Sequence, residues 1–285
     1  IMIPVAKGKD IKRYENLDIN YHVIYPHYFN GKKTVPYEEE ELKLKYPKAY
    51  DYLFQFKDFL TEKKIRFKTN SKYWYSLHRS REIEIFSNEK IVTATIQNYP
   101  HFTIDKTKAL TDAGGYSLSI KPSMDLSKNQ LLPILNSKLM WFFIKNTSSV
   151  YRGGYYAFNT TFLNPFPLPD LSRIKEYEFD NYAINNIKLT GDFLKISKNF
   201  KKYIQSQFSI EKLSKKLQNW HELEFVDLIK ELNKSNKKVG GENLTKKDEI
   251  QWMELFETKK EEVQNLKSEI DKTDRKIDQM VYELY

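Results

Sequence analysis

The chain has no cysteine among its 285 residues. That excludes disulfides, thiolate metal sites and a cysteine nucleophile together, and it fits a reducing cytoplasm. No apolar run is long enough to span a bilayer, so no membrane partner is expected. The start, Met2-Ile3-Pro4-Val5 followed by Lys7, Lys9, Lys12 and Arg13, does not read as a signal peptide. Glycine pairs occur at Gly114-Gly115, Gly153-Gly154 and Gly240-Gly241, none within a phosphate-binding GxGxxG or GxxxxGK pattern, and there is no GxSxG elbow. The histidines His22, His27, His78, His101 and His221 form no HExxH and no pair at helical spacing. Asp58 and Glu62 share a helix face, but nothing nearby completes a nuclease constellation with lysine. The run Glu38–Glu41 reads as a solvated face. Neither a catalytic residue nor a metal ligand is therefore expected of this chain.

What is abundant is basic charge and aromatic rings. Lys and Arg outnumber Asp and Glu by 47 to 38, and 15% of residues are aromatic. A basic, ring-rich surface suits a polyanion, most often nucleic acid. Hydrophobic residues make up 40%, enough for a packed core. Proline is absent after Pro169. This shift predicts an α+β protein in two parts: a β-rich domain with packed helices over 1–170, then a C-terminal antiparallel helical pair over 171–285 resembling a coiled-coil spacer.

In the first part, Tyr21–Phe29 is aromatic and β-branched and reads as a strand. Pro47 starts a helix to about Lys63, with Tyr50, Leu53, Phe54, Phe56 and Leu60 near helical spacing. Tyr73–Ser80 reads as an aromatic strand ending in basic residues. Strands are also predicted at Glu82–Phe86, Lys90–Ile96, His101–Asp105 and Tyr116–Pro122. Ser127 caps a helix to about Lys145, with Leu131, Leu135, Leu139 and Phe142 on one face. In the second part, Phe208–Leu232 reads as helix and Asn233–Asn243 as a linker. Thr245 with Asp248 resembles a capping box. Trp252, Phe256, Val263, Leu266, Ile270, Ile277, Met280 and Leu284 then follow a heptad seam. That pattern runs to Tyr285 without a capping residue, which reads as a piece of a longer protein.

Arg152–Pro169, "RGGYYAFNTTFLNPFPLP", poses the sharpest question. Amino-methylating DNA methyltransferases grip their base with an Asn-Pro-Pro-Tyr/Phe loop, and Asn164-Pro165-Phe166 resembles it. The context fails: there is no glycine-rich cofactor loop and no run of βα units. The alternating Pro165, Pro167 and Pro169 instead read as a rigid connector. DNA-binding chemistry is better represented. Lys7, Lys9, Lys12 and Arg13 are phosphate-type cations. Ser76, His78, Arg79 and Arg81 close one aromatic stretch, and arginine forks suit guanine edges or phosphates. Gln97, Asn98 and His101 lie in a second loop, where amides suit adenine edges. Arg152, Tyr155, Tyr156 and Asn159 surround a glycine-flexed turn.

In order, "KGKDIKRY", "YPKAYDYLFQFKDFL", "YWYSLHRSREIE", "KIVTATI", "LPILNSKLMWFFI", "RGGYYAFNTTFLNPFPLP" and "KIDQMVYELY" resemble the C-terminal target-recognition (TaqI-like specificity) region of DNA adenine methyltransferases and type IIG restriction–modification enzymes. The resemblance implies a double-stranded DNA recognition domain followed by spacer helices. It implies N-terminal methyltransferase and nuclease domains in cis, using S-adenosylmethionine and Mg2+ outside this segment, which itself needs no cofactor and has no activity. Leu135, Asn136, Ser137, Gly153, Gly154, Asn159, Pro167 and Pro169 fall on the family's scaffold motifs. The expected function is sequence-specific DNA recognition. The alternatives are a type I specificity subunit and a coiled-coil interaction protein that does not bind DNA. A homodimer through the C-terminal helices is also allowed for.

Overall fold

The computed structural model describes all 285 residues. Its strands are β1 (Met2–Ala6), β2 (Tyr21–Ile24), β3 (His27–Phe29), β4 (Thr34–Pro36), β5 (Lys90–Ala94), β6 (Ile96–Gln97), β7 (Phe102–Asp105), β8 (Leu110–Thr111), β9 (Gly115–Leu118), β10 (Val150–Tyr151) and β11 (Tyr155–Ala157). Its helices are α1 (Glu39–Lys45), α2 (Pro47–Phe54), α3 (Lys57–Arg66), α4 (Ile83–Phe86), α5 (Lys128–Leu135), α6 (Lys138–Thr147), α7 (Thr160–Leu163), α8 (Leu171–Ile174), α9 (Phe179–Phe208), α10 (Lys215–Gln218), α11 (Phe225–Lys238) and α12 (Lys246–Leu284). The protein is α+β. Contacts divide it into one unit of Ile1–Asp180 with Val281–Tyr285, and another of Asn181–Met280.

The first unit is built from small sheets ordered β2-β1-β8, β7-β5-β9, β10-β11-β6 and β3-β4. Only the β1–β8 pairing is parallel; the others are antiparallel. Every residue of β5 is buried, as expected of a central strand covered on both faces. One face is covered by α5, which packs on β5 and β7. Lys90 and Asp105 form a fully buried ion pair in this sheet. Asp105 also accepts from Thr107 N, Thr107 Oγ1 and Ala109 N, and Lys90 donates to Phe86 O, so both charges are solvated by protein.

The helix expected from Ser127 to Lys145 divides at Asn136-Ser137. Ser127 does cap α5, in a capping box with Gln130. Pro133 lies inside this two-turn helix, where its missing N–H and ring favour an early stop. Ser137 then caps α6 by accepting from Met140 N. The new register buries Met140 and Ile144 and leaves Phe142 66% exposed, against the face expected for it.

Other boundaries also shift. Tyr21–Phe29 breaks at Tyr25-Pro26, and the helix from Pro47 breaks at Gln55-Phe56. Glu82–Phe86 is a single helical turn rather than a strand: Thr34 Oγ1 accepts from Ile83 N and donates to Glu82, while Phe86 turns inward. Tyr73–Ser80 is a 3-10 turn and loop, not a strand, because Trp74 and Tyr75 sink into a cluster with Leu42 and Tyr50. Asn164–Pro169 follows α7 as an irregular segment whose Phe166 is buried against Phe143 and Tyr285. Arg173 donates to the carbonyls of Glu283 and Leu284 and so caps the end of α12.

In the second unit α9 and α12 run antiparallel: Asn186 pairs with Asp274, and Phe200 lies against Trp252 and Phe256. The long neighbour of α12 is thus α9, with α11 as a third helix joined to α12 through Gly240 at positive φ. Phe208–Leu232 is not one helix. Ser209 adopts φ 50°, α10 is a single turn capped by Ser214, and Trp220 is buried in a 3-10 turn. Successive turns place Leu213, Leu217 and Trp220 in the core at three- and four-residue steps, which imitates a helical period. Asn233–Lys238 belongs to α11 and not to a linker. The Thr245–Asp248 capping box is present, each backbone N–H bonded to the other's side chain. No helix is long and apolar enough to cross a membrane.

Candidate nucleic-acid interface

The hairpin β10–β11 turns through Arg152-Gly153-Gly154, with φ of 85° at Gly153 and 76° at Gly154. Two consecutive left-handed residues require glycine, and they hold Arg152 exposed at the tip. On its other edge β11 pairs with β6, setting Tyr156 opposite Gln97 and Ala157 opposite Ile96. Segments more than fifty residues apart thereby share one sheet, and the Asn98–His101 loop emerges beside the Arg152 hairpin.

An aromatic floor underlies the pair. The Trp141 ring lies 5.1 Å from Tyr156, edge-on, and 5.6 Å from Tyr99. Tyr99 in turn neighbours His101 at 6.4 Å, and the Arg13 guanidinium stands 5.9 Å above it. Arg13 also donates to Asn136 O at 3.2 Å and packs on Tyr14, so it is fixed to the scaffold. Burial, and then the charges of Lys12 and Arg13, push His101 down to about 4. At neutral pH it is an uncharged hydrogen-bonding group and not a phosphate cation.

Gln97 departs from the sequence expectation. It is 3% exposed, and its amide donates to Thr93 Oγ1 at 2.8 Å, so it faces the sheet interior and cannot reach a base edge. Asn159 is also occupied, capping α7 by accepting from Thr161 N. Asn98 and Tyr155 are exposed beside Arg152, and Tyr156 is half-buried. Trp141 and Tyr99 were missed as members of this face. The signal available was Lys145 four residues after Trp141, with its ammonium 5.7 Å over the indole.

Lys7, Lys9 and Lys12 lie around a 3-10 turn held by Asp112, whose Oδ1 accepts from both Gly8 N and Gly114 N. A Cβ on Gly8 would stand 1.8 Å from Gly114 O, so the close approach needs glycine. Lys9 and Lys12 are exposed, while Lys7 caps the Tyr21 ring at 3.3 Å.

The Ser76–Arg81 loop forms a separate group. Ser76 accepts from the buried Lys64 ammonium at 2.7 Å, and the His78 ring packs 4.7 Å from Phe67. Tyr25 OH accepts from Arg81 N and donates to Arg81 O. Burial pushes this phenol up to about 12, which keeps the donor protonated. The exposed Arg81 lines a concave site of about 220 Å³ with Tyr116, Ser117 and Thr160. Arg79 is exposed next to it. No group of three or more His, Asp or Glu side chains is arranged to hold a metal.

The sequence family described as "TaqI-like C-terminal specificity domain" matches residues 3–168. A family described as a "domain of unknown function (DUF8810)" matches residues 172–281. The Type II restriction enzyme and methyltransferase RM.Eco57I of Escherichia coli is 28% identical over 166 residues, which is 55% of this chain and 17% of that protein.

Proposed function

Because the chain belongs to the TaqI-like C-terminal specificity family, and is a specificity domain related to a type II restriction–modification enzyme, we propose that residues 1–170 read the sequence of double-stranded DNA for catalytic domains outside this segment. The observation that carries this reading is the sheet β10-β11-β6, which presents the Arg152 tip and the Asn98–His101 loop together over one aromatic floor.

In this reading Lys9, Lys12 and Lys145 meet phosphates and set the register. Arg152, Asn98 and the Arg79–Arg81 loop meet base edges in a groove. Residues 171–285 act as a helical spacer and as a surface for dimerisation. The remainder of the longer protein is an N6-adenine DNA methyltransferase with a fused endonuclease, which flips the target adenine out of the stack. S-adenosylmethionine and Mg2+ belong to that remainder, a reading supported by the relative's being a restriction enzyme and methyltransferase. That the relative is a type II enzyme favours this over a free-standing type I specificity subunit.

Binding to random-sequence duplex DNA at about 50 mM and about 200 mM salt tests the reading. Counterion release predicts a loss of affinity of roughly tenfold or more across that range. Absence of binding at low salt would overturn it. Mapping methylated sites made by the longer protein then supplies the target and the modified base.

A further inference from the structure

The charge of this chain is concentrated in one place. Residues 43–81 contain eleven Lys and Arg against three Asp and Glu, a surplus of eight, where the whole chain's surplus is nine. The same segment holds ten of its aromatic rings. It comprises α2, α3 and the loop to Arg81. The preceding acidic run engages only part of this charge, through Glu41 with Lys45, Glu39 with Lys57 and Glu38 with Lys72. Lys63, Arg66 and Lys68, at the end of α3, stay exposed.

Periodicity suggests that the rings of this segment belong to the core, but several do not. Tyr52, Phe56 and Phe59 are 54%, 44% and 56% exposed. They form a strip from the end of α2 into the first turn of α3, with Tyr52 and Phe56 centred 5.4 Å apart. The break at Gln55-Phe56 rotates α3 so that Leu60 and Lys64 face inward, which turns Phe59 out. Lys63 lies 4.5 Å from the Phe59 centroid and Lys57 5.2 Å from that of Phe54. A surface built to bury itself against another protein is poor in lysine at its centre. Here lysines alternate with ring faces. Exposed rings beside cations provide stacking surfaces for bases and counter-charges for the phosphates between them. Paired bases offer no free face, so the matching ligand is an unpaired strand.

We infer that the Tyr52–Phe56–Phe59 strip and Lys63 bind single-stranded DNA, as a site additional to the duplex-reading face around Arg152. The inference rests on the proposed DNA recognition, because the strand it holds is one left unpaired next to, or opened within, the bound duplex.

The test uses this chain with a labelled random-sequence duplex, and with the same duplex carrying a short unpaired thymidine tail that contains one 2-aminopurine. The tail is expected to raise affinity about tenfold, with quenching of the 2-aminopurine as it stacks. Phe56→Ala with Phe59→Ala is expected to remove both effects and leave affinity for the fully paired duplex within about twofold, and Phe56→Ala with Phe59→Trp to restore the quenching. These rings are exposed, so the variants are expected to fold, which circular dichroism checks. A tail that adds nothing, or equal losses on both DNAs, overturns the inference. So does a fall from dimeric to monomeric mass in the double variant, because the strip would then be covered by a second copy. If the wild type fails on the paired duplex yet binds and quenches the tail, the duplex reading falls and the strand site stands.

Discussion

The side-chain amide of Asn136 hydrogen bonds to both backbone groups of Phe102: Oδ1 accepts from Phe102 N at 2.9 Å and Nδ2 donates to Phe102 O at 3.0 Å. Asn136 has no exposed surface. It therefore imitates a neighbouring strand residue along β7 while standing between α5 and α6. Its own carbonyl accepts from Arg13. One buried amide thus joins the central sheet, the helix break and the cationic N-terminal loop. Asn136→Ala takes the acceptor from the buried Phe102 N, while Phe102 O keeps its bond from Tyr14 N, and is expected to cost about 1–3 kcal/mol, read by urea denaturation. Asn136→Asp buries a carboxyl group with one oxygen against Phe102 O, so it is expected to cost at least as much as alanine at neutral pH. An effect below about 0.5 kcal/mol for the alanine variant would contradict this role.

Lys90 and Asp105 make a second prediction. Removing one partner leaves the other charge buried and unpaired, so Lys90→Met should destabilise by about 3–5 kcal/mol. Lys90→Met with Asp105→Asn removes both charges and should recover part of that loss, because Asn retains one acceptor for Thr107 and Ala109. A double-mutant cycle in denaturant decides it; simple additivity would mean that the two charges are not coupled.

The pH dependence of stability has a definite sign. Burial, helped by the nearby Lys64 ammonium, pushes His27 down to about 4 from its ordinary 6.5. His101 moves the same way. Each imidazole is depressed in the folded state, so the unfolded chain takes up protons first as pH falls. The stability tied to neutral histidine is whole above about pH 6.5 and is lost as pH falls towards 4. His27→Gln should flatten the wild-type decline between pH 6.5 and 5, above the range where most carboxylates titrate. Identical pH profiles for the two proteins would refute the assignment.

Arg152 tests the interface itself. Arg152→Ala is expected to weaken duplex binding by roughly tenfold at low salt. If Arg152 meets a phosphate, the salt slope falls by about one; if it meets a base edge, the slope holds and sequence preference relaxes. Gly154→Ala keeps the arginine but strains a residue at φ 76°, and should weaken binding by displacing the tip. Unchanged affinity and specificity in both Arg152→Ala and Arg79→Ala would sink the loop assignment.

How much could be read in advance depended on the range of the interactions. The Ser127 and Thr245 caps, the strand at Lys90 and the heptad seam of α12 are local or periodic, and all occur in the structure. Glu82–Phe86 alternates like a strand, yet its conformation is set by Thr34, about fifty residues away. The even spacing from Leu213 to Trp220 arises from successive turns around a shared core rather than from a helix. Of the predicted contact residues, Arg152, Asn98, Arg79 and Arg81 are exposed, while Gln97 is spent inside the sheet on Thr93. A sequence shows that an amide sits in a polar loop, but not which way the adjoining strand faces.

By itself, the sequence determined the basic charge, the absence of thiol and phosphate-loop chemistry, the division of composition near residue 170, and the glycine turn that can lift Arg152 out of a hairpin. Each depends on residue type or on neighbours a few positions apart. Tertiary structure alone decided that β6 and β11 pair, that Trp141 and Tyr99 form the floor beneath them, and that the rings of Tyr52, Phe56 and Phe59 face outward. Those outcomes follow from strand pairing and from the rotation of α3 by its buried side, Leu60 and Lys64. That burial is set by contacts outside the helix itself, with Ser76 and Leu77 on Lys64 and the Leu42–Trp74 cluster on Leu60, and no local period records it.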